Sequence, residues 1–211
     1  MSNAPRVVVL LSGRGSNFKA LLEADLPVTF TAAISNRPDA AGLEHARARG
    51  IPAVALDHRR FASREAFDEA LIAQIDKAGA DLVVLAGYMR ILTKAFVERY
   101  AGRLINIHPS LLPMFPGLNT HEAALREGVK IHGCTVHFVT AKLDHGPIVI
   151  QAAVPVMPDD TPDTLAARVL VQEHRIYPQA VRWFAENKLV IAEGRVNVRE
   201  DGVSQWVLAT P

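Results

Sequence analysis

One cysteine, Cys134, occurs in 211 residues. An internal disulfide is therefore excluded, and a reducing compartment is the plain expectation. Excess charge is also missing, since 23 Lys and Arg stand against 22 Asp and Glu. That balance offers little to hold a phosphodiester backbone, and no basic block carries interleaved aromatics. No apolar run is long enough to cross a bilayer; Val7 to Leu11 and Leu82 to Ala86 are strand-sized. The opening residues Met1-Ser2-Asn3-Ala4-Pro5 are polar and lead straight into a strand, unlike a secretory signal. These absences point to a cytoplasmic protein that handles small molecules, with no nucleic-acid and no membrane partner.

Hydrophobic residues make up 49% and charged residues 21%, ample material for a core. Strand-like and helix-like segments alternate through the first half. Strands are expected at Arg6 to Leu11, Phe30 to Ser35, Ala53 to Leu56, Leu82 to Ala86 and Leu104 to His108. Helices are expected at Ser16 to Ala24, Ala40 to Arg49, Ser63 to Ala78 and Thr93 to Tyr100. This alternation predicts an α/β fold with a doubly wound, mainly parallel, Rossmann-like sheet. After His108 the rhythm changes. A Pro-rich loop runs from Pro109 to Pro116, and further strands are expected at Cys134 to Phe138 and Ile148 to Val154. Thr161 to Asn187 has the apolar spacing of a long C-terminal helix, with a kink expected at Pro178. Glu193-Gly194 and Asp201-Gly202 predict short hairpins in the tail. No repeat, low-complexity tract or linker divides the chain, so a single domain is expected.

The most informative run is Asn106-Ile107-His108-Pro109-Ser110-Leu111-Leu112-Pro113, followed by Leu143-Asp144-His145-Gly146-Pro147. In an extended segment, residues two apart share a face, so Asn106 and His108 can address one atom. A carboxylate at Asp144 folding back onto His108 would favour the charged ring. An amide donor and a cationic ring converging on one oxygen are what a developing oxyanion requires. They also stand at the carboxyl end of an expected parallel strand, where open α/β sheets place ligands. Taken singly, a His in a strand or an Asp before His-Gly is more often structural.

Ser12-Gly13-Arg14-Gly15-Ser16-Asn17 links the first strand to the first helix and suits one phosphate. It suits a dinucleotide poorly. Phe18 stands where a third glycine belongs, and the second strand ends in Ser35-Asn36 and not in an acid. Other chemistries find less support. His132, Cys134 and His137 lie close in sequence, but alternation sends His137 to the opposite strand face and no carboxylate has useful spacing for zinc. There is no Gly-x-Ser-x-Gly elbow for a serine hydrolase. Cys134 falls in an expected buried strand, where a thiol is usually inert.

These runs, with Leu85-Ala86-Gly87-Tyr88-Met89-Arg90-Ile91-Leu92, Pro116-Gly117, Val136-His137-Phe138-Val139-Thr140 and Gln172-Glu173-His174-Arg175-Ile176-Tyr177-Pro178, extend to about residue 195. In order and content they resemble the phosphoribosylglycinamide formyltransferases, a folate-dependent formyltransferase family of purine synthesis. The resemblance implies one formyltransferase domain over residues 1–211. A phosphate-binding half would cover about 1–100, and a catalytic and folate-binding half about 101–211. It implies formyl transfer from 10-formyltetrahydrofolate to the amine of 5-phosphoribosylglycinamide, without a metal or a covalent enzyme intermediate. It implies a catalytic set of Asn106, His108 and Asp144, the acid raising the pKa of the ring. Gly15, Ser16 and Asn17 would hold the substrate phosphate, and Glu173 the glycinamide part, although the helical pattern alone puts Glu173 on a helix surface. Folate would meet Arg64, Met89, Arg90, Ile91, Leu92, Asn106, Thr140, Ala141, Lys142, Leu143 and Asp144. The molecule is expected to be a monomer or homodimer.

Three rivals stand beside this reading. A formyltetrahydrofolate deformylase shares the Asn-x-His and Asp motifs, but its relatives carry a regulatory domain for which a strand starting at Arg6 leaves no room. A methionyl-tRNA formyltransferase needs a longer C-terminal domain and a basic surface. A non-catalytic phosphate-ligand binder would keep the glycine loop and have no use for Asn106, His108 and Asp144.

Overall fold

A computed structural model of the chain describes residues 4–200 and 202–209. It divides into two compact units, residues 1–106 and 107–211. The first unit is a parallel sheet. Its strands are β1 (Arg6–Leu11), β2 (Thr29–Ser35), β3 (Ala53–Ala55), β4 (Leu82–Leu85) and the start of β5 (Leu104–His108). Parallel neighbours need crossover connections. The helices α1 (Ser16–Glu23), α2 (Gly42–Arg47), α3 (Arg64–Ala78) and α4 (Lys94–Arg99) supply them. The pairing order is β3-β2-β1-β4-β5. The chain therefore winds outward from β1 in one direction and then returns to continue on its other side. Such a reversal opens a crevice at the carboxyl ends of β1 and β4, the usual ligand position in open α/β sheets.

Burial explains the strands. Val7 to Leu11 of β1 and Leu82 to Val84 of β4 are wholly inaccessible, as continuous apolar runs covered on both faces should be. The α3 helix starts at Ser63, whose hydroxyl accepts from the Ala66 N–H (3.1 Å), and ends at Gly79 with φ 66°. Its buried face consists of Phe67, Asp68, Leu71 and Ile75, so one carboxylate is packed among apolar groups. A short 3-10 turn at His58–Arg60, not expected from the pattern, is capped by the Asp57 side chain.

The glycine loop is tight for a definite reason. Gly15 has φ 74°, and a Cβ there would lie 2.6 Å from the Cα of Gly42 at the start of α2. The Gly42 N–H in turn donates to the Gly13 carbonyl (2.9 Å).

The second unit contains α5 (Thr120–Glu127), β6 (Ile131–Phe138), β7 (Ile148–Pro155), α6 (Pro162–Ala185), β8 (Leu189–Ala192), β9 (Arg195–Val198) and β10 (Trp206–Leu208). Strands β6 and β7 are antiparallel, with an irregular register at Val136/His137. The α5 helix was not expected. It sits between Asn119 (φ 56°) and Gly128 (φ 69°), and such a short element gives little periodic signal. The α6 helix has the capping box Thr161/Thr164, Pro162 in its first turn, and continues through Pro178. Just before it, the Arg168 guanidinium grips Asp160 and holds that carboxyl well below the usual range.

In the tail, β8 and β9 form the hairpin expected at Glu193-Gly194. The second expected turn involves Asp201, which lies outside the described residues. No second hairpin with β9 follows: β10 pairs parallel with β7. The connection from β9 is too long for a two-residue turn, and the Gln205 amide docks it by donating to the Val149 carbonyl (2.8 Å). Among the described residues no helix is long and apolar enough to cross a membrane.

Three histidines of this unit belong to its interior. His132 and His137 are buried, and the His121 ring meets the His132 ring edge-on with centroids 5.2 Å apart. Burial lowers the pKa of each, that of His132 to about 4 from an ordinary 6.5.

Two outcomes are expected. Gly15→Ala combines a left-handed backbone with a steric overlap and should cost on the order of 3 kcal/mol in a denaturant titration. The buried histidines bind protons more readily when unfolded. Their contribution is thus whole above pH 6.5 and is lost as pH falls toward 4. For His132 alone the loss should be on the order of 3 kcal/mol, measured as unfolding free energy at pH 7 and pH 4.5.

Candidate functional site

In the first unit, two loops leave the carboxyl ends of β1 and β4. After β1, Gly15 caps α1 in the left-handed conformation, and Ser16 and Asn17 open the helix. A helix start of this kind favours an anion. Asn17 is buried, Ser16 half-buried, and Arg14 points into solvent. After β4 the chain stays irregular until α4. Met89 and Ile91 are 63% and 60% exposed, an unusual display for apolar side chains on an ordered loop. Arg90 places its guanidinium 4.8 Å above the Phe67 ring. Arg64 begins α3 one turn before Phe67, loosely paired with Glu65 at 3.9 Å. Arg90 thus covers one aromatic side chain, and Met89 and Ile91 beside it are exposed apolar groups. Asn106 is half-buried on β5, opposite Leu85 of β4 in the register.

In the second unit, His108 ends β5 and is 5% exposed. Its Nδ1 stands 3.6 Å from Oδ2 of Asp144, an ion-pair distance longer than a hydrogen bond. Its Nε2 lies 3.0 Å from the Phe115 carbonyl. Both ring nitrogens therefore face acceptor oxygens. Asp144 has φ 50° and accepts from the Gly117 N–H (2.8 Å).

The two loops that make this pairing are themselves anchored. Thr135 donates to the Ser110 carbonyl (2.7 Å) and accepts from the Leu112 N–H (3.1 Å). Gln151 donates to the Leu112 carbonyl (2.9 Å) and Thr120 to that of Pro109 (2.7 Å). Two residues past Asp144, Gly146 packs so closely that a Cβ would lie 1.7 Å from the Phe138 carbonyl oxygen. Thr140 donates to the Lys142 carbonyl (3.2 Å), and Ala141, Lys142 and Leu143 are exposed.

Two placements differ from the sequence reading. Glu173 is 7% exposed on the inward face of α6, not on the helix surface. A long helix with a wide apolar stripe buries the neighbours of that stripe, Gln172 and Glu173 included. His137, weighed only as a metal ligand, puts Nε2 3.9 Å from Oδ1 of Asp144. Its Nδ1 donates to the Phe138 carbonyl (2.9 Å), and burial holds the ring neutral. Strand alternation had already put His137 on a different face from His132 and Cys134; only the returning loop showed what that face meets. Burial pushes the Cys134 thiol up, consistent with an inert side chain.

Comparison with known proteins bears on the family of the chain. The formyl transferase family model matches residues 5–181. A phosphoribosylglycinamide formyltransferase of Escherichia coli (strain K12) is 52% identical over 191 residues, 89% of this chain and 90% of that one. The crystal structure of glycinamide ribonucleotide transformylase 1 from Symbiobacterium toebii superposes with a TM-score of 0.92 at 48% identity, covering 95% of this chain and 96% of that one. A formyltetrahydrofolate deformylase from Pseudomonas syringae is more distant: 28% identity, TM-score 0.88, 94% of this chain and 67% of that one. A family match from the first strand into the last long helix, and a relative half identical over nearly its whole length, lead to one conclusion: the chain belongs to the formyl transferase family.

Proposed function

We propose that this enzyme transfers the formyl group of 10-formyltetrahydrofolate to the amine of 5-phosphoribosylglycinamide, giving formylglycinamide ribonucleotide and tetrahydrofolate in purine synthesis. The observation that carries the reading is the approach of Asp144 to His108 within the second unit. The two units work as one formyltransferase domain. The first supplies Gly15, Ser16 and Asn17 for the phosphate, and Arg64 with the Met89 to Leu92 loop for the folate. The second supplies His108, Asp144, the Thr140 to Leu143 segment for the folate, and Glu173 for the glycinamide amine. The lone Cys134 suits a reducing cytoplasm.

The amine lone pair attacks the formyl carbon, and the C=O electrons move to oxygen. Asn106, two residues before His108 on β5, donates its side-chain amide to that oxygen. Charged His108 donates an N–H to it as well. The Phe115 carbonyl competes for Nε2–H, but a neutral carbonyl is a weaker acceptor than a full negative charge. Asp144 keeps the ring oriented and charged. As the oxyanion collapses, the bond from the formyl carbon to N10 of the folate breaks. The attacking nitrogen loses one proton and N10 gains one, with His108, Asp144 or water as carriers. A deformylase would use water where this enzyme uses the amine, so the acceptor separates the two.

Formyl folate should be consumed only when the phosphoribosylglycinamide amine is present. Equal consumption in water alone would favour hydrolysis. His108→Ala should fold, keep its substrate KM values within severalfold, and lose on the order of 3 kcal/mol of transition-state stabilisation, about a hundredfold in kcat. Unchanged steady-state turnover in that variant would remove the ring from the mechanism.

A further inference from the structure

The loop from Gly87 to Leu92 exposes Met89 and Ile91, yet its backbone is held at both ends by buried polar groups. At the start, the Ser12 N–H donates to the Gly87 carbonyl (3.1 Å), and the Met89 N–H donates to Ser12 Oγ (2.8 Å). The Ser12 hydroxyl spends its own proton on Asn36 Oδ1 (2.5 Å). Asn36 is fixed in turn, since its carbonyl accepts from His58 Nδ1 (2.8 Å). At the far end, the Thr93 N–H donates to Asp68 Oδ2 (2.7 Å). Ser12, Asn36 and Asp68 are 4%, 3% and 2% exposed. Between the clamps, Arg90 stacks on Phe67, the residue before Asp68 on α3.

A buried carboxylate on the apolar face of a helix is costly unless it is hydrogen-bonded, and Asp68 meets that need at the Thr93 N–H. A hydroxyl with both bonding roles filled is likewise committed to one geometry. These groups meet at the carboxyl ends of β1 and β4, where the winding direction of the sheet reverses.

We propose that Ser12, backed by Asn36, and Asp68 are positioning residues that preorganise the Met89 to Leu92 loop for the folate cosubstrate. This rests on the formyl-transfer reading above. Neither group meets the reacting atoms. Each fixes a backbone N–H, so that the exposed Met89 and Ile91 and the half-buried Arg90 sit on a loop with less ordering entropy left to lose on binding. Ser12 opens the glycine loop, but the phosphate residues Gly15, Ser16 and Asn17 do not hang on its hydroxyl. The Gly13 carbonyl of that loop is held by the Gly42 N–H, away from the Ser12 hydroxyl.

The test uses the full chain with both substrates, after transfer by the unsubstituted enzyme has been established. Absence of that transfer would count against the function, not against the clamps. Ser12→Ala and Asp68→Ala should each raise KM for 10-formyltetrahydrofolate about tenfold, while kcat and KM for the phosphoribosylglycinamide stay within about twofold. Ser12→Thr and Asp68→Asn keep an acceptor at each place and should restore the folate KM. Direct titration with tetrahydrofolate should show the same order of affinities. Should Asp68→Ala fail to fold, Asp68→Asn and the two Ser12 variants still decide the matter. An unchanged folate KM in soluble Ser12→Ala, or equal loss for both substrates, would overturn the proposal.

Discussion

The placement of the His108 ring depends on the negative group that faces its Nδ1. In this chain that group is Asp144, and the two loops of the second unit serve the pairing. The 109–117 loop carries the Phe115 carbonyl and the Gly117 N–H to opposite partners, one on the ring and one on the acid. Thr135 and Gln151 tie that loop to β6 and β7 through hydrogen bonds that are largely buried. The 140–146 loop brings Asp144 back in a left-handed conformation and is pinned by the close approach of Gly146 to Phe138. Removing any of these would leave the residues of the pair in the chain but not their distance.

The histidines around this pair divide by environment. His137 and His132 are buried, and desolvation disfavours their charged forms. His108 is as deeply placed but looks at a carboxylate on one side and a carbonyl on the other. His137 faces the same carboxylate at 3.9 Å and a backbone carbonyl at 2.9 Å, so the two rings share Asp144.

Much of the fold was legible because its signals are local. The buried strands of the first unit appear as apolar runs, the glycine loop sits where a strand meets a helix, and α6 repeats its apolar stripe over many turns. The elements that escaped notice are short or depend on distant partners. The α5 helix spans only about two turns, and β10 has three residues whose pairing with β7 depends on the docking of Gln205. Glu173 was misplaced because helical periodicity identifies a stripe but not the width of the surface that covers it.

From the residues alone came the alternation of strands and helices, the phosphate-sized loop, and the Asn-x-His pair, whose common face is a property of extended backbone. The same residues suggested an acid for the ring but left its distance open, because 36 residues separate Asp144 from His108 and sequence carries no metric over that span. Tertiary structure decided that Asp144 reaches His108, that His137 stands beside the same carboxylate, and that Ser12 and Asp68 hold the two ends of the loop after β4. Each of these is a contact between elements far apart in the chain, fixed by sheet order and close packing and by no local preference.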